Sequence, residues 1–311
     1  MAVRCGALSL SAHGESFSYL EKGDWQASIA YRWLHSDRHF VGDVEQKHRQ
    51  AQGSEVVNDV HTFDLTATYA VTKRFSLGLT LPFVHANRSS LYEHDRTNRH
   101  SMQAGGLSDV RLMGNYWVFS PDNNPNGNLG LGVGVKAPSG DYKKTDYRFR
   151  STGRELSYVD NSIQPGDGGW GVLVEFQAFQ KLFKSTFGYL NGTYLINPQN
   201  TNSIGNSVWD AYILRGGVSY ALWPSKGLAL SLGGRVEGVP PEDAFGDSQG
   251  ARRPGFAASI EPGLTWSYKK TSFNLSAPVA LYRNRQRNYQ GRAGDAAFAD
   301  YLITSSITYR F

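Results

Sequence analysis

The stretch DVHTFDLTATYAVTKRFSLGLTLPF, residues Asp59–Phe83, decides the fold. Phe63, Leu65, Ala67 and Tyr69 alternate with Asp64, Thr66 and Thr68. After the link Val71–Arg74, Phe75, Leu77, Leu79, Leu81 and Phe83 alternate with Ser76, Gly78 and Thr80. A period of two places every second side chain on one face of an extended strand. Two such runs across a short link make an antiparallel hairpin with one apolar and one polar face.

The same rhythm continues on both sides. Upstream, Trp25, Ala27, Ile29, Tyr31 and Trp33 oppose Gln26, Ser28 and Arg32. Downstream, Val110, Leu112, Tyr116 and Val118 oppose Asp109, Arg111 and Asn115, and Leu129, Leu131, Val133 and Val135 oppose Gly130, Gly132, Gly134 and Lys136. Further runs begin near Trp170, Thr186, Tyr212, Leu228, Ser259, Phe273 and Tyr301, the last ending at Phe311. The spacing predicts about twelve strands of roughly ten residues, the length a tilted strand needs to cross a bilayer.

The connections alternate in length. Short links fall at Val71–Arg74, Ser120–Gly127, Lys181–Lys184, Trp223–Gly227 and Lys269–Lys270. Long ones fall at His35–Asn58, His85–Gly106, Ser139–Gly168, Asn197–Ser207, Val239–Gly255 and Arg283–Ala296. A stacked pair of soluble sheets has no reason to sort its loops by end, whereas an outer-membrane barrel turns tightly on the periplasmic side and loops broadly outside. Aromatic residues gather near the short links (Trp25, Tyr69, Phe75, Phe119, Phe179, Tyr220, Trp223, Trp266, Tyr268, Phe273, Tyr309), as an interfacial girdle does. The expected fold is all-β: a transmembrane antiparallel up-and-down β-barrel over residues 24–311, exposing an apolar belt to lipid and a polar lumen to water.

Composition agrees. Among 311 residues there are 34 Gly, 17 Tyr, 16 Phe and 7 Trp, with 19% charged. Mean hydropathy is −0.43, and no apolar run nears the ~18 residues of a membrane helix; alternating strands average to mild hydrophilicity. The net charge of +5 is scattered, with no basic run, so nucleic acid is not an expected partner. The sole cysteine, Cys5, has no internal partner. Residues 1–23 read as an N-terminal segment on the periplasmic side, a signal-peptide remnant whose basic Arg4 precedes small and apolar residues.

Three stretches carry a family likeness: Gly105-Gly-Leu-Ser-Asp109-Val-Arg111, then Leu129-Gly-Leu-Gly-Val-Gly-Val-Lys136-Ala-Pro138-Ser-Gly140-Asp141, then Ile163-Gln-Pro165-Gly166-Asp-Gly-Gly-Trp170. Over residues 105–180 the chain resembles the outer-membrane barrel family associated with the meta-pathway of phenol degradation. Ser139 departs from that pattern, where Thr is usual. The resemblance implies passage of aromatic compounds across the outer membrane and fixes no binding residues. The ending Ile307-Thr-Tyr309-Arg-Phe311 looks like the C-terminal signal that such barrels present to their assembly machinery.

Inward-facing positions hold five basic residues (Arg32, Arg111, Lys136, Arg215, Arg235) and five acidic ones (Asp64, Asp109, Glu175, Glu237, Glu261). Equal numbers point to cross-strand pairing, not to a single-sign ring that selects ions. Such a network is either a constriction that a solute touches or a filling that holds the barrel's shape. Lys143, Lys144, Arg148, Arg150 and Arg154 sit near Tyr142, Tyr147 and Phe149 in the longest loop, suited to aromatic acids or to lipopolysaccharide phosphates. Pro82, Pro262 and Pro278 each delete a ladder donor within a strand. Pro262 and Pro278, on consecutive strands, mark either a local bulge or a sideways opening.

No Gly-x-Ser-x-Gly, His-Glu-x-x-His or paired-Cys motif is present, and no serine is placed beside a histidine for activation. His94, Asp95 and His100 form a loop cluster that could chelate a metal but is read as solvated. The expected function is therefore a monomeric outer-membrane channel or transporter for small aromatic or hydrophobic solutes, without cofactor or metal. The alternatives are a structural or assembly barrel with a plugged lumen and, less favoured, a surface enzyme.

Overall fold

The computed structural model describes residues 19–311. Cys5, Arg4 and most of the proposed signal-peptide remnant lie outside the described residues. In chain order the strands are β1 (Trp25–Val41), β2 (Val44–Glu45), β3 (Val57–Ala70), β4 (Phe75–Ser90), β5 (His100–Leu107), β6 (Arg111–Trp117), β7 (Gly127–Lys136), β8 (Thr145–Arg150), β9 (Gly153–Tyr158), β10 (Gly171–Phe183), β11 (Thr186–Ile196), β12 (Ala211–Trp223), β13 (Leu228–Val239), β14 (Gly255–Tyr268), β15 (Thr271–Ser276), β16 (Val279–Asn284) and β17 (Ala296–Arg310).

Each wall strand pairs antiparallel with its sequence neighbour, and β17 returns to β1 from Gln26↔Arg310 to Phe40↔Ala296. The sheet is thereby closed and has no free edge. With β5 and β6 sharing one stave and β15 and β16 another, the barrel has twelve staves. The β8–β9 hairpin is a separate two-stranded sheet within the longest loop.

The outward faces are those the alternation predicts. Ile29, Leu65, Leu79, Leu131, Val133, Val218, Leu232 and Ile307 are all exposed, forming a belt around the wall. Phe179 departs from the expected girdle: it is buried inside the mouth, its ring edge-on to Trp117 at 6.1 Å. Both rings occupy lumen-facing positions in the two-residue repeat.

The outer links are shorter than expected because the strands run on. β1 spans 17 residues and β4 spans 16, beyond the ~9–11 that cross a bilayer. In these extensions the polarity inverts. His35, Asp59, His61 and His85 now face outward, while Leu34, Val60, Val84, Ala86, Met102 and Ala104 face inward as a buried cluster. Outside the hydrocarbon the wall meets water, so the same two-residue period is kept with its faces exchanged.

Lipid contact at the belt makes a specific prediction. Leu131 is exposed at the middle of β7, so Leu131→Arg should cost about 2–4 kcal/mol in denaturant unfolding from lipid bilayers. Leu131→Ala should cost far less. Equal effects of the two would contradict a lipid-facing belt.

Candidate functional site

Eight of the ten lumen-facing charges predicted from the sequence meet in one belt across the barrel. Their pairings run around it. Asp64 of β3 accepts from Arg111 of β6 at 2.7 Å, and Arg32 of β1 reaches across to Glu237 of β13 at 3.3 Å. Glu237 also holds Arg235 at 2.7 Å. Glu261 of β14 accepts from Arg215 of β12 at 2.9 Å and lies 3.6 Å from Arg235. Glu175 of β10 completes the belt, half-buried near Arg111. Four cations face four carboxylates.

The register explains why Glu261 is needed. Arg215 and Arg235 are direct cross-strand partners, and like charges in that position repel. The buried Glu261 carboxylate sits between them and offsets that repulsion. Breaking a buried pair strands a charge and costs about 3–5 kcal/mol. Glu261→Gln should therefore lower barrel stability by about that amount, read as a lower temperature for loss of the compact form on a heat-modifiability gel. An unchanged transition would show that the two guanidiniums need no shared anion.

Lys136 and Asp109 form a second cluster with Asp167, a partner that sequence reasoning missed. The Lys136 ammonium bonds Asp167 and lies 3.8 Å from Asp109. Asp109 lies in the break between β5 and β6, where its carboxylate accepts from the backbone N–H of Gly140 at 3.0 Å and of Asp167 at 3.1 Å. The Ser139 hydroxyl donates to the Ser108 carbonyl at 3.0 Å and accepts from Val110 N–H at 2.8 Å. The three motif stretches of residues 105–170 thus converge on one knot inside the barrel. Gly140 and Gly166 cross backbone to backbone there, and a methyl group on Gly166 would overlap the Gly140 carbonyl.

From this knot the loop between β7 and β10 enters the barrel's outer half. Ile163 is fully buried, packed with Val159 against Leu34, Val60 and Met102. Asp160 anchors it by a two-pronged pair to Arg253, 2.8 and 2.7 Å. Burial alone would raise the Asp160 carboxyl, but Arg253 and Arg88 outweigh it and hold the group well below the usual carboxylate range. Gly166→Ala should free this loop. Trypsin cleavage within residues 139–168 should quicken several-fold, measured by mass spectrometry of timed digests; unchanged cleavage would mean that the crossing does not hold the loop.

Beneath the belt lies a cavity of about 240 Å³ whose lining includes many Ser, Thr and Asn side chains and which opens toward the short turns. At its mouth Tyr19 stands edge-on to Trp117 at 5.3 Å, donates to the Asn124 carbonyl at 2.8 Å and accepts from Asn128 at 3.0 Å. Nothing in the alternation of the strands pointed to Tyr19, which precedes the barrel.

At the prolines, the ladder between β14 and its neighbour is interrupted: β15 ends at Ser276 and β16 starts at Val279. Single hydrogen bonds bridge the gap, from Ala277 N–H to the Pro262 carbonyl at 3.1 Å and from Leu302 N–H to the Pro278 carbonyl at 3.0 Å. Pro82 lies within β4 and pairs with Asp64, its carbonyl accepting from Ser108 N–H at 2.7 Å.

Several basic residues of the long loop take partners within the loop itself. Arg154 lies over Tyr147 at 4.6 Å, Lys143 over Tyr142 at 5.2 Å, and Arg150 pairs with Glu155 at 2.8 Å. His94, read as solvated, is buried instead: its Nδ1 accepts from Phe149 N–H at 3.2 Å, while His100 stacks on the Phe149 ring at 4.0 Å. Among the described residues no group of three His, Cys, Asp or Glu is arranged to hold a metal ion.

No family model and no curated protein matches the sequence, so the likeness of residues 105–180 to the phenol-degradation barrels rests on those motifs alone. Among solved structures, an outer membrane channel from Pseudomonas putida F1 is similar at TM-score 0.61 and 14% identity, covering 96% of this chain and 99% of that one. At that identity it shows a shared fold and nothing further. The beta domain of the Bordetella autotransporter BrkA (TM-score 0.49, 12% identity, 94% and 100% covered) and the P. putida toluene transporter TodX (0.42, 9%, 94% and 90%) are barrels of only general likeness.

Proposed function

We propose that this chain is an integral protein of the bacterial outer membrane that passes small aromatic or hydrophobic solutes, acting as a monomer. The observation that supports it is the cavity: a chamber of mixed polar and apolar lining, open at the short-turn end, roofed by charge, bordered by both interruptions of the wall. Ser276 and Thr304 beside Ala277–Pro278, and Arg111 beside Val110, all line it. In this reading the charged belt is a constriction that the solute meets, and the weakly bridged wall at Pro262 and Pro278 is a sideways exit for apolar solutes into the membrane. The family resemblance supports the aromatic class. Phe311, exposed beyond the strand that seams the barrel, serves as the signal to the assembly machinery, and the basic β8–β9 hairpin faces lipopolysaccharide.

A second reading has its own observation. The loop with Ile163 at its centre fills the outer half, as a plugged structural or assembly barrel would require. Planar-bilayer recording separates the two. Steady openings of the purified protein, and a conductance raised several-fold when residues 142–164 are replaced by a short Gly/Ser linker, support a channel. Silence of both forms, with no uptake of benzyl alcohol into liposomes above that of empty vesicles, supports the plugged barrel.

A further inference from the structure

We infer that the chamber beneath the belt is a binding site for an organic anion, such as an aromatic carboxylate. This rests on the transport reading and narrows its solute. The belt is neutral as a whole, but its two sides differ. Arg32, Arg111, Arg215 and Arg235 line the chamber, whereas Glu237 and Glu261, which neutralise three of them, do not. Among the described residues only Asp64 and Glu175 contribute carboxylates to its surface, while seven contribute cationic side chains, Arg310 among those nearer the mouth. A solute entering from the short-turn end therefore faces the guanidinium groups of Arg32, Arg215 and Arg235 with their counter-charges behind them.

The chemistry of these groups selects the ligand. A guanidinium offers a planar fork of donors that fits a carboxylate, and it is less strongly hydrated than an ammonium. The facing pair Arg215 and Arg235 is the place for it. Their registry sets two like charges side by side with one shared carboxylate, Glu261. Glu237 holds Arg235 as well, at 2.7 Å, whereas Arg215 shares Glu261 with it; an added anion on the chamber side beside Arg215 relieves what that shared carboxylate offsets only in part. A cavity of about 240 Å³ admits a single-ring acid. Trp117 and Tyr19 supply ring faces and edges at the mouth, and Asn191 and Thr193 supply neutral polar groups near the belt.

The test uses the full chain in detergent micelles, with 4-fluorobenzoate and 4-fluorobenzyl alcohol as fluorine-NMR probes. These differ chiefly in charge. The expected result is that the acid binds at least tenfold more tightly than the alcohol, and that Arg215→Gln weakens the acid about tenfold while leaving the alcohol unchanged. Glu175→Gln, which removes a carboxylate from the chamber, should tighten the acid several-fold, and it carries the test if Arg215→Gln fails to fold. Equal binding of acid and alcohol, or a Glu175→Gln variant indifferent to the acid, overturns the anion site. The outcome is independent of conductance: a protein that passes benzyl alcohol but does not prefer the acid keeps the channel reading and loses this one.

Discussion

Everything else in this molecule depends on the seam between β17 and β1. In hydrocarbon an unpaired backbone N–H or C=O costs several kcal/mol, and only a closed ladder satisfies all of them. The seam runs almost the length of both strands, with irregularities confined to the Leu34–Arg38 stretch near its outer end. Closure fixes which face of every strand points inward. That alone brings Arg32 of the first strand to Glu237 of the ninth stave's end. Without a closed wall those groups would have no common interior to share.

Once the interior exists, its contents follow a gradient along the axis. Near the short turns Ser, Thr and Asn face water. At mid-height the charges pair. Beyond them part of the inward face turns apolar and receives Val159 and Ile163, beside the buried polar Asn58 and Arg88. Each level suits its surroundings: a water-filled mouth tolerates hydroxyls, a narrowing with little water requires paired ions, and an outer half filled by loop needs a packed core. The outer half is in effect a small soluble barrel set on top of a membrane one, made from the same strands.

This layering accounts for what could be read from the sequence. The alternation seen in Asp59–Phe83 and repeated along the chain predicted the wall and the stave count, because lipid imposes one strict rule on every outward position. It also predicted the inward charges, which stand at the forbidden parity for lipid. The extensions His35–Val41 and His85–Ser90 read as loops because their alternation carries the opposite sign: His85 and Asn87 outward look polar, and nothing local says that the solvent has changed. Asp167 was invisible as a partner of Lys136 because their contact depends on a long loop turning inward, and no period records that. Tyr19 and Phe179 were missed in the same way. An aromatic ring near a short turn suits the lipid girdle and the lumen mouth equally, and only the parity of Phe179 with Gln177 marked it as inward.

The two interruptions of the wall stand at the level of the belt, and the backbone explains why. At Ser108–Val110 and at Ala277–Pro278 the ladder lapses, so donors and acceptors must find other partners. At the first break Asp109 accepts from Gly140 and Asp167, while Ser139 and Pro165 take up the groups of Ser108 and Val110. At the second, the Pro262 and Pro278 carbonyls accept from Ala277 and Leu302, and Ser276 turns its hydroxyl to Glu261 at 2.9 Å. Proline cannot supply a donor, so a break built on it is tolerable only where polar groups from the interior stand ready. The charged belt is the level of the barrel that supplies them in number. Irregular backbone and concentrated charge therefore occur together for a physical reason, and a wall that opens anywhere should open here, where its groups already have partners other than the next strand.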